Sequence, residues 1–191
     1  MPAFVDAHKT PGFSKNHVSS AIRSIGILLL MVAAMPALAA HAASSPPVKI
    51  AVFDFELEDV SPAASATGAT ASYSTRMQAV TAAARRVVAE LGRYSLVDIN
   101  GVDAEPVRQR SLRNCSGCDA GIALKLGAEQ SLVGVVTRVT NTDYYVSVRI
   151  TDTSTGKIIN QQTAFFTGAD DAWASGVAFL IRHGVLAHPD N

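Results

Sequence analysis

The chain has 191 residues, with 16 lysines and arginines against 16 aspartates and glutamates, and is 48% hydrophobic. A balanced charge speaks against a nucleic-acid binder, whose phosphate contacts need a surplus of basic side chains, and so apolar a composition excludes a disordered chain. The length suits one domain with a short extension.

The first forty-odd residues skew those totals. Lys9, Lys15 and Arg23 precede an apolar run from Ile25 to Ala34; Pro36 breaks the run, and small residues follow through Ala43. A basic stretch, a short apolar stretch and an A-x-A site predict a secretory signal over residues 1–42, cut after Ala39 or Ala42. An uncleaved membrane anchor is the rival reading, but the strongly apolar part is short for a span. No Arg-Arg pair precedes the run and the first cysteine is Cys115, so neither a twin-arginine route nor a lipoprotein anchor is expected. The protein is therefore expected to be periplasmic or secreted, with no stable membrane anchor after cleavage. The mature part keeps 13 basic residues against 15 acidic ones and, of five histidines, His183 and His188.

A linker over 43–47 leads into a domain expected over 48–188. Val48 to Phe55 reads as a strand apolar enough for the middle of a sheet. Asp54, Glu56 and Glu58 share a parity where it ends and are expected on one side. Such carboxylates suit cation binding or acid–base work, or are a solvated strand end. Ser61 to Ser74, rich in small residues, reads as a loop. A helix is predicted from about Thr75 to Leu91. Met77, Val80, Ala84, Val87, Val88 and Leu91 lie on one of its faces and Arg76, Arg85, Arg86 and Glu90 on the other, with Gly92 at C′. Those arginines, with Arg108, Arg110 and Arg113, form either a partner-facing patch or a solvated face. Tyr94 to Ile99 reads as a second strand and Gly101 to Arg113 as a polar connection, and a shorter helix opens at Cys118 or Asp119 and ends at Gly127.

The last third reads as β-rich. Gln130 to Val139 is a strand. Tyr144, Val146, Val148 and Ile150 then alternate with Tyr145, Ser147, Arg149 and Thr151, the period of a strand with one wet face. A turn over Asp152 to Gly156 leads to a fifth strand, Lys157 to Phe166. Asp170 and Asp171 begin a last helix that buries Trp173, Val177, Leu180 and Ile181. Tyr144 and Tyr145 are candidates for a binding surface, with one of them expected in the core. The fold class that satisfies every apolar face is α/β (α+β): a single mixed five-stranded sheet, order β-α-β-α-β-β-β-α, with helices packed on it.

Cys115-Ser116-Gly117-Cys118 is the sharpest local chemistry. In an oxidising compartment this pair is expected to form a disulfide. A thiol at a helix N-terminus also has a lowered pKa, which leaves thiol-redox chemistry or metal handling as the alternative to a structural bond. Zinc would need two further ligands, and only two imidazoles remain. Thr155-Gly156-Lys157 lacks the distal glycine and the following Ser or Thr of a phosphate loop, and no G-x-S-x-G occurs. No catalytic residue, cofactor or metal site is predicted.

Lys49-Ile50-Ala51-Val52-Phe53-Asp54-Phe55, Gly92-Arg93-Tyr94-Ser95-Leu96-Val97-Asp98, Lys125-Leu126-Gly127-Ala128-Glu129 and Val148-Arg149-Ile150-Thr151-Asp152 together carry a resemblance. The series resembles the small exported α/β domain of the TolB N-terminal, CsgG and LpoB-type proteins, and more closely a proteobacterial family of secreted proteins of unknown function. It covers about Val48 to Leu186. The lipid-attachment cysteine and the propeller domain of those relatives have no counterpart here, so membrane tethering and pore formation do not carry over. The resemblance implies the fold, the compartment and docking on other envelope proteins, with no catalytic residues. The function expected is a soluble exported accessory or binding module that is not an enzyme. Its partner would be an envelope protein, and the alternative is a thiol-redox or metal-handling protein.

Overall fold

The computed structural model describes residues 45–62, 64, 70–100, 111–115 and 117–187, all within the unit Ala43–Asn191. The predicted leader, residues 65–69 of the predicted loop, Arg108, Arg110 and His188 lie outside the described residues. None of the described helices is long and apolar enough to cross a membrane.

Six strands form one mixed sheet. They are β1 (Val48–Val52), β2 (Glu56–Asp59), β3 (Tyr94–Leu96), β4 (Gln130–Arg138), β5 (Asp143–Asp152) and β6 (Ile158–Thr167). Their order is β3-β1-β4-β5-β6, with β2 also on β4. Pairings among β1, β2, β3 and β4 are parallel, while β4–β5 and β5–β6 are antiparallel hairpins. The helices among the described residues are α1 (Thr70–Glu90), α2 (Cys118–Lys125) and α3 (Trp173–Leu180), with 3-10 turns at Leu112–Asn114 and Asp170–Ala172 and a π turn at Ile181–Val185. The mixed sheet with packed helices is the architecture expected.

Five strands become six because the first one is broken by a bulge. Val52 lies opposite Leu132 and Glu56 opposite Val135, so Phe53, Asp54 and Phe55 face only Val133 and Gly134. One extra residue interrupts the ladder and reverses the parity of everything after it. Before the bulge, Ile50 and Val52 point into the larger core; after it, Phe55 and Leu57 do. Helix α1 satisfies the backbone groups that the bulge orphans. The Phe55 N–H donates to Thr81 Oγ1 at 2.9 Å, and one turn further on Arg85 donates twice to the Val52 carbonyl, at 3.0 and 3.2 Å. The Phe55 ring lies flat against Gly134, where a Cβ would come within 2.1 Å of it. Only glycine allows that approach.

The two faces of the sheet are covered unequally. On one, α1 and α3 bring Val80, Ala84, Val87, Val88, Trp173, Val177 and Leu180 against Ile50, Leu132, Val136, Val146 and Val148. On the other, α2 and the Leu112 turn cover Ala51, Phe53 and Val133, and α2 reaches the near end of β5 through the Asp119–Arg149 pair. Among the described residues nothing packs over Tyr145 of β5 and Phe165 of β6 on this face, and both side chains are exposed.

Candidate functional site

Of the two adjacent tyrosines, Tyr144 is the core residue. Its hydroxyl donates to the Ala172 carbonyl at 3.1 Å, and its ring fills the space where a Cβ on Gly176 would meet the hydroxyl at 2.6 Å. Burial pushes its phenol pKa up. Tyr145 turns to the open face, 43% exposed, and packs edge-on against Phe165 of β6 with ring centroids 5.3 Å apart. Phe165 is itself 54% exposed. Beside them Ser147 and Thr163 share a hydrogen bond of 2.8 Å across the same strands. Ile158, Ile159 and Phe179 are each more than half exposed, and Phe179 stacks edge-on against Phe166 of β6. Five of the eight large hydrophobic side chains exposed among the described residues thus lie on or beside β6, Tyr145 and Phe165 together on the open face and Phe179 over Phe166 on the face that α3 covers.

The acidic trio predicted to share one side is separated by the bulge. Asp54 sits in the bulge itself, on the α1 side, and accepts from Arg85 at 2.9 Å. Two candidates chosen separately from the sequence, Asp54 and Arg85, are thereby brought together. The crevice beside them, about 340 Å³, is lined by Arg85 and residues 96–100 at the ends of β1 and β3. Glu56 points to the opposite face. It accepts from the Ser111 hydroxyl, from Leu112 N–H at 2.5 Å and from Arg113 N–H at 3.2 Å, with the Arg113 side chain 3.6 Å away. Glu58 accepts from Thr137 Oγ1 at 3.2 Å. Arg86 is exposed on the outer face of α1. The parity rule fails because the bulge consumes one residue that alternation cannot register.

A disulfide joins Cys115 to Cys118. It links the 3-10 turn held by Glu56 to the first residue of α2. The next residue, Asp119, is fully buried and pairs with Arg149 on β5 at 3.1 Å and with Ser131 Oγ at 2.7 Å. The turn before Cys115 and the helix that begins at Cys118 are therefore each clamped to the sheet by a carboxylate, Glu56 and Asp119. Among the described residues no group of three or more His, Cys, Asp or Glu is arranged to hold a metal ion.

One polar cluster went unread in the sequence. Arg138, 7% exposed at the end of β4, donates to Asp59 at 3.1 Å, to the Tyr73 hydroxyl at 2.5 Å, to the Thr140 carbonyl at 3.2 Å and to Asn141. Asp170, which also pairs with Arg76, lies 3.7 Å away. A cleft of about 460 Å³ opens beside these groups. Burial acts to raise the Asp59 pKa, but hydrogen bonding from Ser61 and the Arg138 guanidinium outweighs it and holds the carboxyl below its usual range. Each charge has its counter-charge, so the cluster ties the ends of β2, β4, α1 and the Asp170 turn together. The signal was there: Leu132, Gly134, Val136 and Arg138 share a parity, which puts Arg138 on the face that α1 and α3 cover.

The family DUF3280, described as a protein of unknown function (DUF2380), matches residues 48–185. No curated protein matches the chain. Among solved structures the chain is similar to the LpoB C-terminal domain from Salmonella enterica, with a TM-score of 0.46 and 17% identity over 65% of this chain and 85% of that one. It is similar also to lipoprotein GNA1162 from Neisseria meningitidis, with a TM-score of 0.43 and 19% identity over 64% and 82%. A third likeness is to TolB from Acinetobacter baumannii, with a TM-score of 0.45 and 12% identity over 75% of this chain and 29% of that one. With the family matched across the whole described sheet and all three helices, the chain belongs to DUF3280.

Proposed function

We propose that this protein is an exported accessory module that docks on another envelope protein through the open face of β5 and β6. The Tyr145–Phe165 pair carries the reading: two aromatic rings exposed side by side, with a hydrogen-bonded Ser147–Thr163 pair beside them. Aromatic anchors amid satisfied polar groups are the composition of a protein-recognition surface. Export rests on the leader read from residues 1–42 and on the Cys115–Cys118 bond, which persists in oxidising compartments. Among the described residues, neither cleft gathers a nucleophile, a base and an oxyanion donor, the constellation that would favour an enzyme.

Two measurements test this. N-terminal sequencing of protein from the envelope fraction should begin at Ala40 or Ala43; a chain that keeps its leader removes the export half. Tyr145→Ser with Phe165→Ser should leave circular dichroism unchanged and abolish capture of the envelope partner held by the parent, and undiminished capture would sink the docking half.

The disulfide at the start of α2 favours one second reading, thiol-redox chemistry at Cys115 and Cys118. A reduction potential well above about −300 mV would support it, whereas a value near or below that marks a structural bond.

A further inference from the structure

The two edges of the sheet are unlike. β3, at one edge, is three residues long and flanked by Arg93 and Asp98, too short and too charged to recruit another strand. β6, at the other, runs ten residues, Ile158–Thr167, with no charged residue and no proline, and none of its residues is buried. Its one irregularity, a bulge opposite Ile150 and Thr151, is confined to its start, so Asn160–Thr167 follows β5 in regular register. Monomeric proteins guard long edge strands with charges, prolines, bulges or covering segments; over those eight residues β6 carries no such charge, proline or bulge.

We propose that β6 pairs antiparallel with β6 of a second copy of this chain across a two-fold axis, joining the two sheets into one. The axis stands perpendicular to the sheet, so odd-numbered residues of one copy lie beside odd-numbered residues of the other, and the open faces fall on the same side. Centred on Thr163, the pairing sets Thr163 against its own mate, a favourable cross-strand pair, and Phe165 against Gln161. The absence of charge selects the partner. In a two-fold pair the residue on the axis meets its own copy, and a residue one place from it lies only about 7 Å along the strand from its copy, so a charge there would stand close to a like charge. Lys157, the nearest cation in sequence, falls six residues from the axis, about 20 Å along the strand, beyond a Debye length at physiological salt. The contact uses the backbone edge of β6 and leaves Tyr145 of each copy free, so it stands apart from the docking proposed above and would place two such surfaces side by side.

Sedimentation equilibrium of the protein purified from cells, up to about 0.2 mM, tests the pairing. A dimer is expected, with β6 amides whose hydrogen exchange slows as concentration rises. Thr163→Lys, at an exposed position, should weaken the dimer at least about tenfold, a change of ~1.4 kcal/mol, while Tyr145→Ser should leave it intact. A protein that stays monomeric overturns the proposal, as does an oligomer that ignores Thr163→Lys or leaves the β6 amides unprotected. Partner capture by the Tyr145→Ser protein reads the docking proposal separately, whichever way sedimentation comes out.

Discussion

The sheet has two halves built on opposite principles. Around β1 and β4 the strands are parallel and covered on both faces, and the short runs Ile50–Phe53 and Leu132–Val133 are buried without alternation. Around β5 and β6 the strands are antiparallel hairpins, one face is packed on α1 and α3, and the other, beyond the Arg149 end that α2 reaches, is open among the described residues at Tyr145 and Phe165. A parallel crossover must bring its helix down on the sheet, whereas a hairpin needs only a turn. The covered half therefore holds the molecule together, and the open half is where surface remains for other molecules. The bulge belongs to the first half: Thr81 and Arg85 of α1 are spent on its backbone groups, which makes Arg85 a structural clamp before it is anything else.

The contrast can be broken from either side. Gly134→Ala drives a methyl into the buried Phe55 ring and should destabilise the fold by about 3 kcal/mol in chemical denaturation; a loss under about 1 kcal/mol would mean that the bulge yields easily. Arg85→Met leaves the Val52 carbonyl unpaired, and a cost of about 2 kcal/mol is expected, with no change in partner capture. In the open half, Phe165→Ser alone should move stability by no more than about 0.5 kcal/mol; a larger loss would show that the exposed ring belongs to the core after all. The smallest effect concerns the β5–β6 turn. Asp152 accepts from the hydroxyls of Ser154 and Thr155 and from Thr155 N–H, which lowers its pKa from 3.8 to about 2. Since the folded value lies below the unfolded one, its stabilising effect is present above about pH 4 and is lost as the pH falls through about 2. Ser154→Ala with Thr155→Ala should carry the Asp152 carboxyl titration, followed by NMR, back toward 3.8.

Much of this fold is legible in periodicity. The alternation of Tyr144 to Thr151 places Tyr144 inward and Tyr145 outward once the core face is known, and Trp173, Val177, Leu180 and Ile181 are buried as their spacing requires. The same rule fails at Asp54, Glu56 and Glu58, because alternation assumes an unbroken ladder, and whether β1 bulges depends on Gly134, eighty residues away in the chain. Helix α1 begins at Thr70, ahead of the Thr75 expected from its apolar spacing. Parity places Arg138 on the covered face, but its partners Asp59, Asp170 and Tyr73 come from three other segments, and no spacing within any one of those hints at a cluster.

The sequence by itself determined the class of fold, the order of its elements, the pairing of two cysteines three positions apart and which side of each regular strand is apolar. All of these follow from contacts close along the chain or from a period that local geometry imposes. Only the tertiary structure decided which carboxylates share a face, that Arg85 serves the bulge, that buried Asp119 pairs with Arg149, and that, among the described residues, Tyr145 and Phe165 stand exposed side by side. Those depend on register and on which helix reaches which face, and both are settled by packing between residues far apart in the chain.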